Sequence, residues 1–313
     1  VKILLPTSIP LDPDLPDGVE AVRYDNREPV PDAHRDAEAL VVWGNRGPEL
    51  ADAAARLTRL RWVQTLAAGP DQVLGAGFAP DVVVTSGRSL HDLPVTEHTL
   101  ALVLAAARRL HVLGRAQAEH RWVRELGGMQ PLDEVGAFRT LRDARVLVWG
   151  FGSIAATLAP LLAALGAHVT GVARTAGDRH GFPVITEDDL PAHLPSTDLL
   201  VMILPASAST HHALSRERLA LLPPHAWVVN VGRGATLDTE SLLEALRGGR
   251  LGGAALDVFE TEPLPADSPL WDEPDVIVSP HAAGGRPLGA DALIADNVRA
   301  LLEGRELRNV VER

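Results

Sequence analysis

Val146–Ala167 reads VLVWGFGSIAATLAPLLAALGA. An apolar run, VLVWG, leads into Gly150-Phe151-Gly152-Ser153-Ile154-Ala155, and an Ala/Leu-rich run follows. Strand, Gly-rich turn and helix in succession predict the unit that opens a dinucleotide-binding sheet. Gly150 permits the tight turn. Gly152 has no Cβ, so bare backbone can approach a pyrophosphate, and Ala155 is small enough for close helix–strand packing. Ser153 and Ile154 begin the helix, whose free N–H groups and positive dipole end would face the phosphates. The stretch carries no formal charge, which raises the idea of a membrane span. Two glycines and Pro160 interrupt it, so a buried βα unit accounts for it better. Pro160 is expected to kink the helix or loosen one turn.

Outward from this unit, the chain alternates apolar runs with helical stretches. Upstream, Val1–Leu5, Ala39–Trp43, Trp62–Thr65 and Val82–Thr85 read as strands, with a helix over Glu49–Leu60. A break at His91-Asp92-Leu93-Pro94 precedes a long helical stretch, Val95–Arg124, and Gly127–Phe138 reads as a loop. Downstream, His168–Ala173, Leu199–Ile203, Trp227–Val231, Gly253–Val258 and Val276–Ser279 continue the strands, and Gly289–Glu303 is again helical. Such alternation predicts parallel sheets, here two Rossmann-like α/β domains.

The chain has 313 residues, 46% hydrophobic and 22% charged, with formal net charge −12. That length allows two domains with real cores. The acidic balance argues against a nucleic-acid surface. An anionic substrate would then be held by a few local cations against the global field. Without cysteine, thiolate nucleophiles, disulfides and zinc–thiolate sites are excluded. No metal-ligand spacing such as H-E-x-x-H occurs, and the pair His211-His212 reads as structural. The opening VKILLPTSIP breaks too early for a signal peptide and reads as a first strand, so a cytoplasmic protein is expected.

Four segments follow the Gly-rich turn: Val229-Asn230-Val231-Gly232-Arg233-Gly234, Ala255-Leu256-Asp257-Val258-Phe259, Glu262-Pro263-Leu264-Pro265 and Ser279-Pro280-His281. In this order and spacing the chain resembles the D-isomer-specific 2-hydroxyacid dehydrogenases over nearly its whole length. Trp62–Gly69 resembles that family's substrate-loop segment, and Val95-Thr96-Glu97-His98 the start of its interdomain helix. The resemblance implies a catalytic set of Arg233, Glu262 and His281. It also implies substrate carboxylate binding by backbone N–H groups at Ala68 and Gly69, and Asp257 near the nicotinamide. Thr175 and Pro205 join Gly150, Gly152, Ser153 and Ile154 as expected cofactor contacts.

The chemistry suits these residues. A 2-keto acid carries a carboxylate beside the carbonyl that receives hydride. A planar guanidinium, Arg233, can grip the carboxylate and stabilise charge growing on the carbonyl oxygen. An imidazole, His281, can deliver or accept the hydroxyl proton near neutral pH. A carboxylate beside it, Glu262, orients the ring and favours the charged form. Singly, each could be an ordinary loop residue; all three at strand ends, where open α/β sheets place ligands, read as a site.

The sequence departs from the common NAD pattern after the second strand of the dinucleotide unit. An acid for the ribose hydroxyls is usual there; this chain has Ala173 followed by Arg174, with Thr175 and Arg179 nearby. Without the acid a 2′-phosphate is no longer repelled, and Arg174 supplies a partner. NADP(H) is therefore the expected cofactor, with NAD possible.

The expected architecture is a discontinuous, flavodoxin-like substrate domain over residues 1–94 and 283–313, with the dinucleotide-binding domain over 95–282. The expected activity is hydride transfer between NADP(H) and a small 2-keto or 2-hydroxy acid, similar to glyoxylate/hydroxypyruvate reductases. The expected partners are that acid and a second copy in a homodimer, with no nucleic acid and no membrane. Two alternatives stay open: an NAD-dependent phosphoglycerate dehydrogenase-like enzyme, and a nucleotide-sensing, corepressor-like binding protein.

Overall fold

The computed structural model describes residues 1–129 and 137–312. It divides into two compact units, one of Val1–His91 with Arg286–Arg313 and one of Asp92–Gly285.

The first unit is built on five strands: β1 (Lys2–Pro6), β2 (Glu20–Tyr24), β3 (Ala39–Val42), β4 (Trp62–Thr65) and β5 (Val83–Thr85). They lie in the order β2-β1-β3-β4-β5, every pair parallel. That is the flavodoxin-like order. Alternate strand residues go to opposite faces. Leu4, Leu40, Val42 and Val63 pack with Leu50 and Ala53 of helix Gly47–Arg56. Ile3, Leu5, Val41 and Trp62 pack with Leu293, Ile294 and Val298 of helix Ala290–Glu303. The last helix is thus drawn back to the first strands because it covers their second face.

The second unit holds β6 (Arg145–Trp149), β7 (His168–Val172), β8 (Gly177–Arg179), β9 (Phe182–Ile185), β10 (Leu199–Met202), β11 (Trp227–Asn230), β12 (Gly253–Leu256) and β13 (Val276–Val278). The order is β13-β12-β11-β10-β6-β7-β9-β8. All pairs are parallel except β8 with β9. Leaving out the antiparallel edge strand β8, this is a Rossmann order, reversing direction between β6 and β10. Val146, Val148, Val201 and Val229 face helices Asp92–Ala107 and Ser153–Ala164. Leu147, Trp149, Leu200 and Val228 face Leu219, Leu242 and Ala245 on the other side. Both faces are covered, which is why these strands read as continuous apolar runs.

Several expectations are corrected in detail. Helix Ser153–Ala164 runs unbroken through Pro160, whose ring lies on the exposed side. The long helical stretch begins at Asp92, so Asp92, Leu93 and Pro94 belong to the second unit. It then divides into Asp92–Ala107 and Leu110–Ala118. The division falls at Arg109, whose φ of 54° is left-handed and cannot continue an α-helix. Most of the loop expected over Gly127–Phe138 lies outside the described residues.

Candidate active site

Because β6, β7, β10, β11, β12 and β13 are parallel, their carboxyl ends share one edge of the sheet. Gly150, Arg174, Pro205, Arg233, Asp257 and His281 each follow one of these strands. The fold therefore gathers residues that lie far apart in the chain.

The Gly-rich turn occupies the point where the strand order reverses. Gly150 has φ +100°, and a Cβ there would meet the Ile203 carbonyl oxygen at 2.6 Å, so only glycine fits on both counts. A Cβ at Gly152 would meet nothing within 4 Å; that side of the turn is open. No side chain caps the start of the helix that follows. Ser153 Oγ donates to Asp92 Oδ1 at 2.9 Å, fixing the helix start to the neighbouring helix. Phe151, between the two glycines, fills the space left by Gly171, where a Cβ would lie 2.4 Å from the ring. This cradle of bare backbone and uncapped helix N-terminus fits the pyrophosphate of a dinucleotide.

Arg174 and Thr175 stand exposed beyond β7. Arg179, from β8, donates to the Thr175 carbonyl at 2.8 Å and to the Thr175 hydroxyl. Its other terminal nitrogen lies 3.5 Å from the Phe151 carbonyl of the Gly-rich turn. A second guanidinium is thus bound to the residue next to Arg174. Pro205 is exposed, its carbonyl accepting from Thr210 Oγ1 at 2.7 Å.

Glu262 and His281 meet. His281 Nδ1 lies 2.8 Å from Glu262 Oε2. The other carboxylate oxygen, Oε1, accepts from the Phe259 N–H at 2.9 Å, so the carboxylate is held by its own turn. Nδ1 is then the donating nitrogen and Nε2 is left to hold or move a proton. The two side chains are 45% and 35% exposed, which leaves the pair open to a ligand.

His281 itself has φ 51°, an unfavourable conformation for a residue with a Cβ. Asp257 explains how it is held. This buried carboxylate accepts from Ser279 Oγ at 2.6 Å, Ala282 N–H at 2.8 Å and Ala283 N–H at 3.0 Å. The His281 N–H donates to the Asp257 carbonyl at 2.8 Å. His98 Nε2 adds contacts at 3.2 Å to Asp257 Oδ1 and 3.0 Å to Ser279 Oγ. Asp257, expected near the nicotinamide, thus has both oxygens engaged in shaping the turn that presents His281.

Arg233 extends from the loop after β11, its Nη1 donating to the Gly232 carbonyl at 2.8 Å. Asn230, part of the motif quoted from the sequence though given no role there, and Thr236, not singled out, fix that loop. Asn230 Nδ2 and Thr236 Oγ1 both donate to the Arg233 carbonyl, at 3.2 and 2.6 Å, and Asn230 Oδ1 accepts from the Gly232 N–H. Gly234 lets this loop lie directly on Phe259, where a Cβ would come within 1.9 Å of the backbone. The Arg233 loop and the turn carrying Glu262 are therefore in backbone contact. His212, read as structural, pairs with Glu260 at 2.6 Å.

Ala68 and Gly69 belong to the other unit, on the loop after β4. Ala68 is exposed and Gly69 half-buried. No group of three or more metal-ligating side chains occurs among the described residues. None of their helices is long and apolar enough to cross a membrane.

Residues 100–283 match the family model described as D-isomer specific 2-hydroxyacid dehydrogenase, NAD binding domain. The chain is 32% identical over 293 residues to glyoxylate/hydroxypyruvate reductase B of Pectobacterium carotovorum, covering 88% of this chain and 86% of that one. Among solved structures, a D-isomer specific 2-hydroxyacid dehydrogenase from Xanthobacter autotrophicus Py2, in complex with NADPH and MES, superposes with TM-score 0.82. It is 30% identical, over 99% of this chain and 97% of that one. An NADPH-dependent glyoxylate/hydroxypyruvate reductase from Sinorhizobium meliloti, in complex with NADP and sulfate, gives TM-score 0.81 at 27% identity, over 99% and 98% of the two chains. With its Rossmann order, its Gly-rich turn and these likenesses, the chain belongs to the D-isomer-specific 2-hydroxyacid dehydrogenases, oxidoreductases that transfer hydride with a nicotinamide cofactor.

Proposed function

We propose that this chain is an NADPH-preferring reductase of a small 2-keto acid of the glyoxylate or hydroxypyruvate class. The observation that carries the reading is the 2.8 Å Glu262–His281 pair, on the sheet edge that also bears Arg233 and the Gly-rich turn. Gly150 and Gly152 would admit the pyrophosphate, with the N–H groups of Ser153 and Ile154 directed at it. Arg174, Thr175 and Arg179 would hold a 2′-phosphate, and Pro205 would line the cofactor. The bound dinucleotide supplies the hydride.

The remaining chemistry is assigned to the chain's own side chains. The Arg233 guanidinium binds the substrate carboxylate and stabilises negative charge on the carbonyl oxygen as hydride arrives. His281, protonated on both nitrogens, gives its Nε2 proton to that oxygen. Glu262 keeps hold of Nδ1–H, so the ring neither turns nor loses the wrong proton. In the reverse direction Nε2 accepts the hydroxyl proton. The N–H groups at Ala68 and Gly69 are assigned to the substrate carboxylate.

Ala173 in the place of an acid weighs against the NAD-dependent alternative, and the intact His–carboxylate pair weighs against a purely sensory role. A homodimer is also proposed. Leu93, Leu104, Leu110 and Leu113 lie exposed along the helices between Asp92 and Ala118, with Trp122 86% exposed just beyond. Covering these apolar side chains would favour association, and sedimentation at several concentrations tests for a second copy. The activity is tested by offering glyoxylate, hydroxypyruvate, pyruvate and bulkier keto acids with NADPH and with NADH. Consumption of NADPH by a small keto acid is expected. Absence of turnover across the panel, with cofactor bound, would contradict the reading.

A further inference from the structure

The loop after β4 rests on a buried amide whose hydrogen-bonding capacity is fully used. Gln64 has no solvent exposure. Its Nε2 donates to the Thr65 carbonyl at 2.7 Å and the Ser86 carbonyl at 3.1 Å. Its Oε1 accepts from Thr85 Oγ1 at 2.8 Å and from Asn297 Nδ2 at 2.9 Å. Thr85 Oγ1 in turn accepts from Trp62 Nε1 at 2.8 Å. Asn297, equally buried, accepts the Arg308 N–H at 2.7 Å and donates to the Arg308 carbonyl at 3.3 Å. Two donors and two acceptors on Gln64 are matched, so only one orientation of the amide satisfies the site.

This network ends at the loop proposed to bind the substrate carboxylate. The Thr65 carbonyl is pinned by Gln64, and Thr65 Oγ1 accepts from the Ala67 N–H at 3.1 Å. His91 Nε2 meets the Leu66 carbonyl at 2.7 Å. The Gly87 N–H donates to the Ala67 carbonyl at 2.7 Å, and a Cβ at Gly87 would come within 2.0 Å of the Leu66 oxygen. Each peptide leading to Ala68 is therefore fixed from below, while Ala68 itself is exposed. A solvated loop that needed only to connect β4 to its neighbour would have no use for five buried polar side chains, Gln64, Thr65, Thr85, His91 and Asn297.

We propose that Gln64 and Asn297 are positioning residues: they brace the loop so that the N–H groups at Ala68 and Gly69 are aimed before the substrate arrives. The inference rests on the keto-acid reading above. Preorganised donors bind without reordering, so loosening the brace weakens substrate binding while leaving the cofactor and the proton-transfer pair intact.

The experiment is steady-state kinetics with the best keto acid and saturating NADPH on the full chain, for Gln64→Met and Thr85→Val. Gln64→Met keeps the volume and removes every side-chain hydrogen bond of Gln64; Thr85→Val removes the bond from Thr85 to Gln64 and, with it, the acceptor of Trp62 Nε1. The KM for the keto acid is expected to rise about tenfold in Gln64→Met and roughly threefold in Thr85→Val, with kcat changed less than about twofold. NADPH affinity, read by fluorescence, should stay at the wild-type value. If Gln64→Met fails to fold, the Thr85→Val split between KM and kcat still decides the matter. A wild-type KM in a folded variant, or a fall in kcat without a rise in KM, overturns the brace. Wild-type chain that binds NADPH but reduces no keto acid overturns the underlying reading and the brace with it.

Discussion

Cofactor choice offers the sharpest quantitative test, because it turns on two adjacent residues. Arg174 is exposed, so a contact to a 2′-phosphate would be screened by salt. A charge-assisted hydrogen bond contributes ~1.5–3 kcal/mol, and exposure argues for the low end, or about tenfold in affinity. Arg179, already bound to Thr175, would keep part of the phosphate site after Arg174 is lost. Arg174→Ala should therefore weaken NADPH about tenfold and leave NADH nearly unchanged. Ala173→Asp should go further. A carboxylate ~5 Å from a doubly charged phosphate costs ~1.5 kcal/mol even in a water-like dielectric. Accepting from the ribose hydroxyls of NADH adds about 1 kcal/mol in the opposite sense. The NADPH-to-NADH ratio should then fall on the order of a hundredfold. The assay is kcat/KM for both cofactors with one keto acid, at low and moderate salt. The Arg174 effect should shrink with salt. A wild-type preference for NADH, or an Arg174→Ala ratio within twofold of wild type, would refute the reasoning.

Arg233→Lys keeps the charge but not the planar two-pronged grip, so steady-state kinetics should show kcat falling and KM for the keto acid rising together, by about tenfold or more in kcat/KM. A pH-dependent stability term is expected at Asp275, whose carboxyl is held below its ordinary value of 3.8 by His111, then by Arg109 and Arg115. A depressed folded value contributes stability above the unfolded value and loses it as pH falls through the folded one. Asp275→Asn should therefore lower the melting temperature at neutral pH, by a margin that narrows below about pH 4; a margin independent of pH would contradict this.

The sequence was most legible where one physical constraint governs a run of residues. Strands buried on both faces must be apolar throughout, so β6, β10 and β11 stood out, and a strand–glycine–helix passage has few other uses. Arg233, Glu262 and His281 were legible as a motif, and Glu262 and His281 as partners, because proton transfer requires an imidazole and something to orient it. Of the edge strands, β5 and β13 were legible as apolar runs, but β2 and β8 were not. β2 buries only Tyr24 of its five residues, and β8 is polar and mostly exposed. Nor could the helix break at Arg109 be read, since left-handed backbone at a non-glycine residue leaves no compositional mark. Long-range polar pairing was invisible for a different reason: Gln64 and Asn297 lie 233 positions apart and meet only once helix Ala290–Glu303 covers the first sheet. The structural service of Asp257 was hidden likewise, because its partners Ser279, Ala282 and Ala283 come from the next strand's end.

The central claim is that His281, held by Glu262, moves the proton in 2-keto acid reduction. The most direct measurement is the turnover of His281→Ala with the best keto acid, alongside its NADPH affinity by fluorescence. The account predicts a loss of ~10²–10⁴-fold in kcat with cofactor affinity unchanged. Turnover near the wild-type rate in a folded, cofactor-binding variant would contradict it.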